Sequence, residues 1–189
     1  METLKVTLVG LSPMLQHRDT LANPLHPLTK SHKELTGKRK KTDEDHEAIA
    51  KSEWTASMYF DEKTGPYVPA MMIESTIMEA AKLQKLGKKF KSSIMVVEDL
   101  IPLQYEGPRD RAGLWNNPDF VDMRSVKVQQ ARIQRCRPKF NSWKLSFTVA
   151  YNASVVDARD IKKALEDAGT LVGMGDFRPR FGKFEAFVK

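Results

Sequence analysis

The sequence predicts an α+β fold, in which two amphipathic helices alternate with the strands of an antiparallel sheet. Apolar residues alternate with polar residues near both ends of the chain, which is the period of a half-buried strand. Two further segments repeat apolar residues at helical spacing. The core therefore follows the order strand, helix, strand, strand, helix, strand, which is the βαββαβ order of the ferredoxin-like, or RNA-recognition-motif-like, fold.

Each core element rests on its own pattern. Leu4, Val6 and Leu8 alternate with polar residues in the first strand, and Ile73 and Ile77 lie on one face of the first helix. The predicted elements, in chain order, are a strand at 4–8, a helix at 70–86, an interrupted strand at 93–103, strands at 126–138 and 143–151, a helix at 157–168 that stops at Gly169, and a strand at 183–188. Of these, the strand at 126–138 carries basic residues on both faces and is expected to project or to line a groove, so it is not counted in the βαββαβ core.

We expect one domain over residues 1–189, with insertions at about 17–60 and 105–124. The first insertion opens with a polar loop broken by prolines. It continues with a helix at 43–59, because Thr42 precedes acidic residues in the manner of a capping box. The second insertion is a long irregular segment, and such segments inside a compact domain are functional or disordered.

Composition limits the partners and the compartment. Lys and Arg total 31 against 24 acidic residues, giving a net charge of +7, the sign expected for a protein that binds phosphates. The single cysteine excludes an intrachain disulfide and a cysteine zinc site. No apolar run has the length of a membrane span, and no acidic spacing resembles a ligand set. We therefore expect a soluble cytoplasmic protein with no membrane partner, metal or cofactor.

The sequence of residues 169–185 predicts a loop that binds phosphate groups. Gly173, Gly175 and Gly182 allow positive φ and close backbone approach, so that several N–H groups can converge on an anion. The loop also carries three cations, which are Arg178, Arg180 and Lys183. The alternative is a glycine-containing hairpin whose arginines are simply solvated.

Other basic residues form three groups with candidate roles in nucleic-acid binding. The first group is a block before the helix of the first insertion, the second accompanies an aromatic residue in the second insertion, and the third lies on the strand at 126–138. They are Lys38, Arg39, Lys40 and Lys41; Arg109 and Arg111 with Trp115; and Lys127, Arg132, Arg135 and Arg137. The alternatives are, respectively, a solvated turn, a tryptophan folded onto the core or a neighbouring subunit, and an edge strand protected by charge.

Three motifs in order resemble a known superfamily. The chain begins with Leu8-Val-Gly-Leu-Ser-Pro-Met-Leu, enters its first core helix through Tyr67-Val-Pro-Ala-Met-Met-Ile-Glu, and ends with the glycine loop and Phe181-Gly-Lys-Phe. This set resembles the RAMP superfamily, the repeat-associated mysterious proteins of CRISPR effector complexes and guide-RNA processing. Ala70, Met71 and Glu79 depart from its usual helix pattern, so the subgroup stays open.

The resemblance implies binding of single-stranded RNA or single-stranded DNA, largely without sequence specificity, by an oligomerising backbone-like subunit. Such a subunit is a homo-oligomer or part of a ribonucleoprotein complex. In the guide-processing branch, a histidine soon after the first strand can act as general acid or base. His17 lies in that region, and otherwise His17 and Arg18 would contact phosphates or bases.

Two alternatives remain open at this point. The first is a metal-independent endoribonuclease of the guide-processing type, with His17 as its catalytic residue. The second is a phage-type interaction protein that mimics or caps a CRISPR effector complex and binds protein. Because no second catalytic residue is identifiable, the sequence favours a binding protein over an enzyme.

Overall fold

A computed structural model describes residues 1–189, the side chain of residue 128 excepted. The protein is α+β with antiparallel sheets. The strands are β1 Glu2–Gly10, β2 Met14–Leu15, β3 Phe60–Asp61, β4 Gly65–Pro69, β5 Ile94–Val96, β6 Leu100–Pro102, β7 Val121–Val128, β8 Ala131–Phe140, β9 Lys144–Tyr151 and β10 Phe184–Val188. The α-helices are α1 Pro27–Thr36, α2 Asp43–Ser57, α3 Ala70–Leu83, α4 Gly87–Ser93, α5 Arg111–Trp115 and α6 Ala158–Asp167.

The chain divides into two compact units. Unit 1 contains Met1–Met14, Phe60–Glu106 and Asn141–Lys189, and unit 2 contains Leu15–Tyr59 and Gly107–Phe140. Each unit is therefore built from segments that are distant in sequence. Unit 2 combines most of both predicted insertions with the strand pair β7 and β8.

Unit 1 is organised around a four-stranded antiparallel sheet of order β10-β1-β9-β5. If these four strands are numbered by their order along the chain, they lie side by side as 4-1-3-2. β1 is central, pairing Val6 with Phe147 on β9 and with Val188 on β10. α3 packs against β5 and α6, and α6 packs against β10. The helices α3 and α6 therefore cover one face of the sheet.

The periodicity of unit 1 confirms the predicted strands and helices. Val6 and Leu8 are buried on β1, and Leu145, Phe147 and Val149 are buried on β9. The helix faces predicted to point inward are also buried, at Ile73, Ile77, Ala80, Ala81, Ile161, Ala164 and Leu165. The Asp157 carboxylate accepts the Arg159 N–H at 2.8 Å and caps α6 as predicted.

Two predictions in unit 1 need correction. The predicted interruption of the segment 93–103 is confirmed, but its two halves are separate strands in different sheets, because β5 pairs with β9 whereas β6 pairs with β4. Gly169 does not stop the second helix. The chain continues as a π-helical turn, Ala168–Val172, and ends at Gly173, whose φ of 78° is the positive value that glycine adopts readily.

Unit 2 packs α2 against α1 and against the long hairpin of β7 and β8. Trp54 on α2 is 1% exposed, and its indole N–H donates to the Phe120 carbonyl at 3.0 Å. Thr42 and Asp45 form the predicted capping box at the start of α2. The helix predicted at 43–59 is thus confirmed as Asp43–Ser57.

Three predictions in unit 2 are wrong. The strand expected at 126–138 is a hairpin, since the chain reverses at Gln129 with a φ of 54°. The loop expected after β1 contains a 3-10 turn, Asp19–Ala22, and then α1, which starts with Pro27 at a position where a helix tolerates proline. The segment 105–124 is also less irregular than expected, because it holds α5 and the start of β7.

No helix in the described part of the chain combines the length and the hydrophobicity needed to cross a membrane.

Candidate functional site

The glycine loop of unit 1, residues 173–183, is held together by close contacts between two backbone segments. A Cβ added to Gly182 would lie 1.7 Å from the Met174 carbonyl oxygen, and one added to Gly173 would lie 2.7 Å from the Phe181 oxygen. Gly173, Gly175 and Gly182 all have positive φ, as the sequence predicts. The glycines therefore serve the packing of the loop itself.

Most amides at the base of the loop donate hydrogen bonds inside the protein. The Gly173 N–H donates to Ala168 at 2.8 Å, the Met174 N–H to Gly182 at 2.9 Å, and the Gly182 N–H to Pro13 at 2.8 Å. The Lys183 N–H donates to the Ser12 hydroxyl at 2.9 Å. Fewer N–H groups can therefore face an anion than the sequence predicts.

The cations of the loop differ in their surroundings. The Arg178 guanidinium donates to the Glu79 carboxylate on α3 at 3.0 Å, whereas Arg180 is exposed and Lys183 is partly exposed. Beside Arg178 lies an open depression of about 580 Å³, which Leu83, Leu171 and other loop residues also line. An ion pair at this exposed position contributes little to stability, so Arg178 can exchange Glu79 for a phosphate.

The face of the four-stranded sheet away from α3 and α6 is open. The cross-strand register places Thr7 between Ser146 and Phe187, and places Lys5 opposite Thr148. Phe187 is 47% exposed although it is a large aromatic residue in a strand. Hydroxyls, lysines, one aromatic ring and the Glu185 carboxylate therefore share this open sheet face, whose residues are Lys5, Thr7, Val9, Lys144, Ser146, Thr148, Glu185, Phe187 and Lys189.

A depression of about 400 Å³ lies on the open sheet face. Its lining includes Lys5, Lys189 and Phe187, together with Glu98. The Glu98 carboxylate accepts the Thr148 N–H at 2.9 Å. Partial burial acts to raise the pKa of this carboxyl, but hydrogen bonds from Thr148 and from the Glu98 backbone together outweigh it and lower the pKa. Glu98 thus works as a backbone acceptor at the sheet edge, and the lysines supply the positive charge there.

The basic block of unit 2 precedes α2 and is largely exposed. Lys38 pairs with Asp45 in the first turn of α2, and the Lys41 ammonium donates to the Lys38 carbonyl at 2.7 Å. Arg39 and Lys40 are exposed. Lys38 and Lys41 are therefore engaged in contacts within this turn. For these two residues the structure favours the alternative of a solvated turn.

Trp115 of the second insertion packs within unit 2. Its ring centroid is 5.5 Å from that of Trp54 in an edge-on contact, and the Lys51 ammonium lies 5.9 Å from the Trp115 centroid. Arg109 and Arg111 are exposed on the same segment. The contacts with Trp54 and Lys51 favour the alternative in which this tryptophan folds back onto the core.

The cations of the β7–β8 hairpin fall into two classes. Lys127 and Arg132 are exposed and lie opposite each other in the register. By contrast, Arg137 is 7% exposed, and the Arg135 guanidinium donates to the buried Glu53 carboxylate at 2.8 Å. Only the first class is presented to a ligand, and the second serves the interior of unit 2.

His17 and Arg18 follow β2 in unit 2. His17 is exposed, and the Arg18 guanidinium carbon lies 5.9 Å from the centroid of the Tyr59 ring. Within the described residues, no three His, Cys, Asp or Glu side chains gather in a group that could hold a metal ion.

Sequence reasoning did not single out the residues of the open sheet face, although a signal for them was present. In β10, Phe184, Ala186 and Val188 lie on the strand face that points to the core, whereas Phe187 lies on the opposite, outward face. An aromatic residue in the polar phase of a strand, between Lys183 and Lys189, is the pattern that would have indicated this face.

Comparison of the chain with models of known protein families gives no match, and comparison with the sequences of characterised proteins gives none either.

Proposed function

We propose that this protein binds single-stranded nucleic acid, RNA or DNA, on the open sheet face. One observation carries the proposal, which is that the exposed Phe187 ring shares a depression with Lys5 and Lys189, on the same sheet face as Lys144 of β9. An aromatic ring accepts any base by stacking, and lysines beside it neutralise the phosphates of the same strand. The net charge of +7 supports a partner of this kind.

The proposal includes a ferredoxin-like core of the RAMP kind. The sheet order β10-β1-β9-β5, with α3 and α6 on one face, supports the ferredoxin-like assignment. The positive-φ glycine loop between α6 and β10 supports the RAMP resemblance. In this proposal Arg178, which lies beside Glu79 of α3, and Arg180 supply further phosphate contacts on the loop.

Weak sequence preference follows from the chemistry of the face. Lysines and hydroxyls contact phosphates and sugars, which carry no base identity, and stacking tolerates every base. We propose further that copies of the protein assemble side by side along one strand. Size-exclusion chromatography with light scattering, on oligonucleotides of increasing length, tests this assembly because the number of bound copies should rise with length.

The main test is a fluorescence-anisotropy titration with labelled single-stranded RNA and DNA of mixed sequence at several salt concentrations. The test variant replaces Lys5, Lys144 and Lys189 with glutamine. The matched control replaces three exposed lysines of α4 in the same unit, Lys88, Lys89 and Lys91. Both variants lose the same net charge, so a difference between them reports position and not overall charge.

We expect the sheet-face variant to lose about tenfold or more in affinity at low salt, whereas the α4 variant retains most of it. The slope of log K against log salt should become shallower by about 2, since each phosphate contact with a single strand contributes about 0.7. If neither strand binds, or if both variants weaken equally, the open sheet face is not the binding surface. The search would then move to protein partners.

A further inference from the structure

A third depression lies in unit 2 and is lined by polar groups from one short stretch of chain between β2 and α1. Its volume is about 420 Å³. The lining contains the guanidinium of Arg18, the carboxylate of Asp19, the amide of Asn23 and the imidazole of His26, and Thr20 and Ala22 complete it. None of these residues belongs to the open sheet face or to the glycine loop.

Hydrogen bonds fix the chain that forms this depression. The Arg18 N–H donates to the Ser57 carbonyl at 2.9 Å, and the Thr29 hydroxyl donates to the Thr20 carbonyl at 3.0 Å. The Asn23 side-chain oxygen accepts the Leu25 N–H at 3.0 Å. The depression is therefore preformed, and a ligand would not have to order it.

Arg18 is the one permanently charged cation in the lining. Its guanidinium carbon lies 5.9 Å from the Tyr59 ring centroid, a contact that restrains the position of the long side chain. A guanidinium offers several N–H donors in one plane and matches the oxygens of a phosphate group. Arg18 thus gives the depression a positioned anion-binding group.

His26 adds a second donor with a defined tautomer. Its Nδ1 atom accepts the Leu28 N–H at 3.2 Å, at the start of α1. An imidazole nitrogen that accepts a hydrogen bond carries no proton, so the proton of the neutral ring is on Nε2. The Nε2–H group is therefore available as a donor to a ligand in the depression.

We propose that this depression binds a phosphodiester group, with Arg18 and the His26 Nε2–H donating to its non-bridging oxygens. Asp19 decides between phosphate classes, because its carboxylate repels a dianion more than a monoanion. The singly charged phosphodiester is therefore favoured over doubly charged inorganic phosphate. The source of the diester, a nucleic-acid backbone, rests on the proposed function.

Three substitutions separate the roles of the lining residues. His26→Asn keeps a side-chain acceptor for the Leu28 N–H, since asparagine is among the best residues at a helix N-cap, but it lacks the Nε2–H donor. Arg18→Gln removes the charge. Asp19→Asn removes the repulsion and should therefore raise the affinity for phosphate, an increase that a misfolded protein could not produce.

The first probe is dimethyl phosphate, a diester without a base, added to labelled protein while NMR follows the Arg18 Nε–H and the amides of residues 18–26. Inorganic phosphate is the comparison. We expect saturable shifts with dimethyl phosphate, about fivefold or more weaker binding in His26→Asn and Arg18→Gln, and tighter binding in Asp19→Asn that is larger for inorganic phosphate. Absence of saturable shifts, or wild-type binding by His26→Asn, would overturn the inference.

The two proposals fail in distinguishable ways. Dimethyl phosphate cannot stack, so its binding in the depression does not depend on the open sheet face. If the depression binds dimethyl phosphate while no oligonucleotide binds the protein, this inference stands and the proposed function fails. If oligonucleotides bind the open sheet face while residues 18–26 respond to neither phosphate probe, this inference alone fails.

Discussion

The Glu53 carboxylate is shared between the side chain of Arg135 and the backbone of the hairpin that carries it. One oxygen accepts the Arg135 guanidinium at 2.8 Å, and the other accepts the Cys136 N–H at 3.0 Å. Glu53 is 6% exposed. This pair joins α2 to β8 inside unit 2, so an arginine that the sequence assigns to phosphate binding has a structural partner.

Substitution of Glu53 by glutamine is expected to lower the free energy of unfolding by about 1 to 3 kcal/mol, because a buried acceptor loses its charge while Arg135 keeps its own. Urea denaturation followed by circular dichroism measures this change. Arg132→Ala, at an exposed position of the same strand, is the control and should stay within about 0.5 kcal/mol of wild type. Equal stabilities of the two variants would contradict the assignment.

Gly182→Ala is expected to destabilise the protein by at least about 2 kcal/mol, because it combines a strained positive φ with an overlap against the Met174 carbonyl. Thermal unfolding provides the measurement. The control is Gly37→Ala, since Gly37 has a φ of −75° that alanine adopts readily and its added Cβ would lie 3.1 Å from the nearest atom, the Lys33 carbonyl oxygen. An unchanged midpoint for Gly182→Ala would show that the loop backbone is not packed as described.

Phe187→Leu and Lys189→Gln should weaken nucleic-acid binding by removing different interactions, base stacking in the first and a phosphate contact in the second. Loss of the ring removes stacking, worth about 1 to 3 kcal/mol per base, without changing the salt slope. Loss of the lysine should reduce the slope by about 0.7 with a smaller effect on affinity. Anisotropy titrations at several salt concentrations separate the two. A change of slope in Phe187→Leu would argue against stacking.

Cys136 is expected to resist thiol reagents in the folded protein. Burial, followed by the charges of Glu53 and Asp122, raises the pKa of this thiol from 9.0 to about 12. Labelling at pH 8 should therefore follow opening of unit 2, and denaturant should accelerate it strongly. Labelling of the native protein as fast as that of the denatured chain would contradict this expectation.

The same shift predicts a loss of stability at high pH. The unfolded chain releases the thiol proton near pH 9, whereas the folded protein keeps it until about pH 12. The contribution of Cys136 is therefore present below pH 9 and is lost as pH rises through this window. Urea titrations at increasing pH should show a shallower loss in Cys136→Ala than in wild type.

Local patterns predicted most of the core of unit 1 and the longest helix of unit 2. The alternation around Val6 and the inward face of α6 were sufficient, because each follows from one short segment. The hairpin turn at Gln129 was missed because it carries neither glycine nor asparagine. The interruption of the segment 93–103 was predicted, but the placement of its two halves in different sheets was not, because it depends on pairing with the distant strands β9 and β4.

The candidate sites were harder to predict than the core because they depend on how distant strands pair with one another. Each strand shows its own outward residues, but Thr7 meets Ser146 and Phe187 only after three distant strands have paired. His26 was missed for a similar reason, since its role depends on the Leu28 amide that sets its tautomer. The positive φ values of the glycine loop were predicted. Its amides donate inside the protein because they meet the carbonyls of Pro13 and Ala168, which the local sequence does not show.

The central position of β1 also determines when the protein can fold during synthesis. This strand leaves the ribosome long before its neighbours β9 and β10, which include Lys144 and Val188. Its core residues, Val6 and Leu8, remain without all their strand partners until β9 and β10 have been made. Such non-local pairing is slow and exposes apolar strands to aggregation. Chains halted before β10 should therefore be the forms most dependent on chaperones.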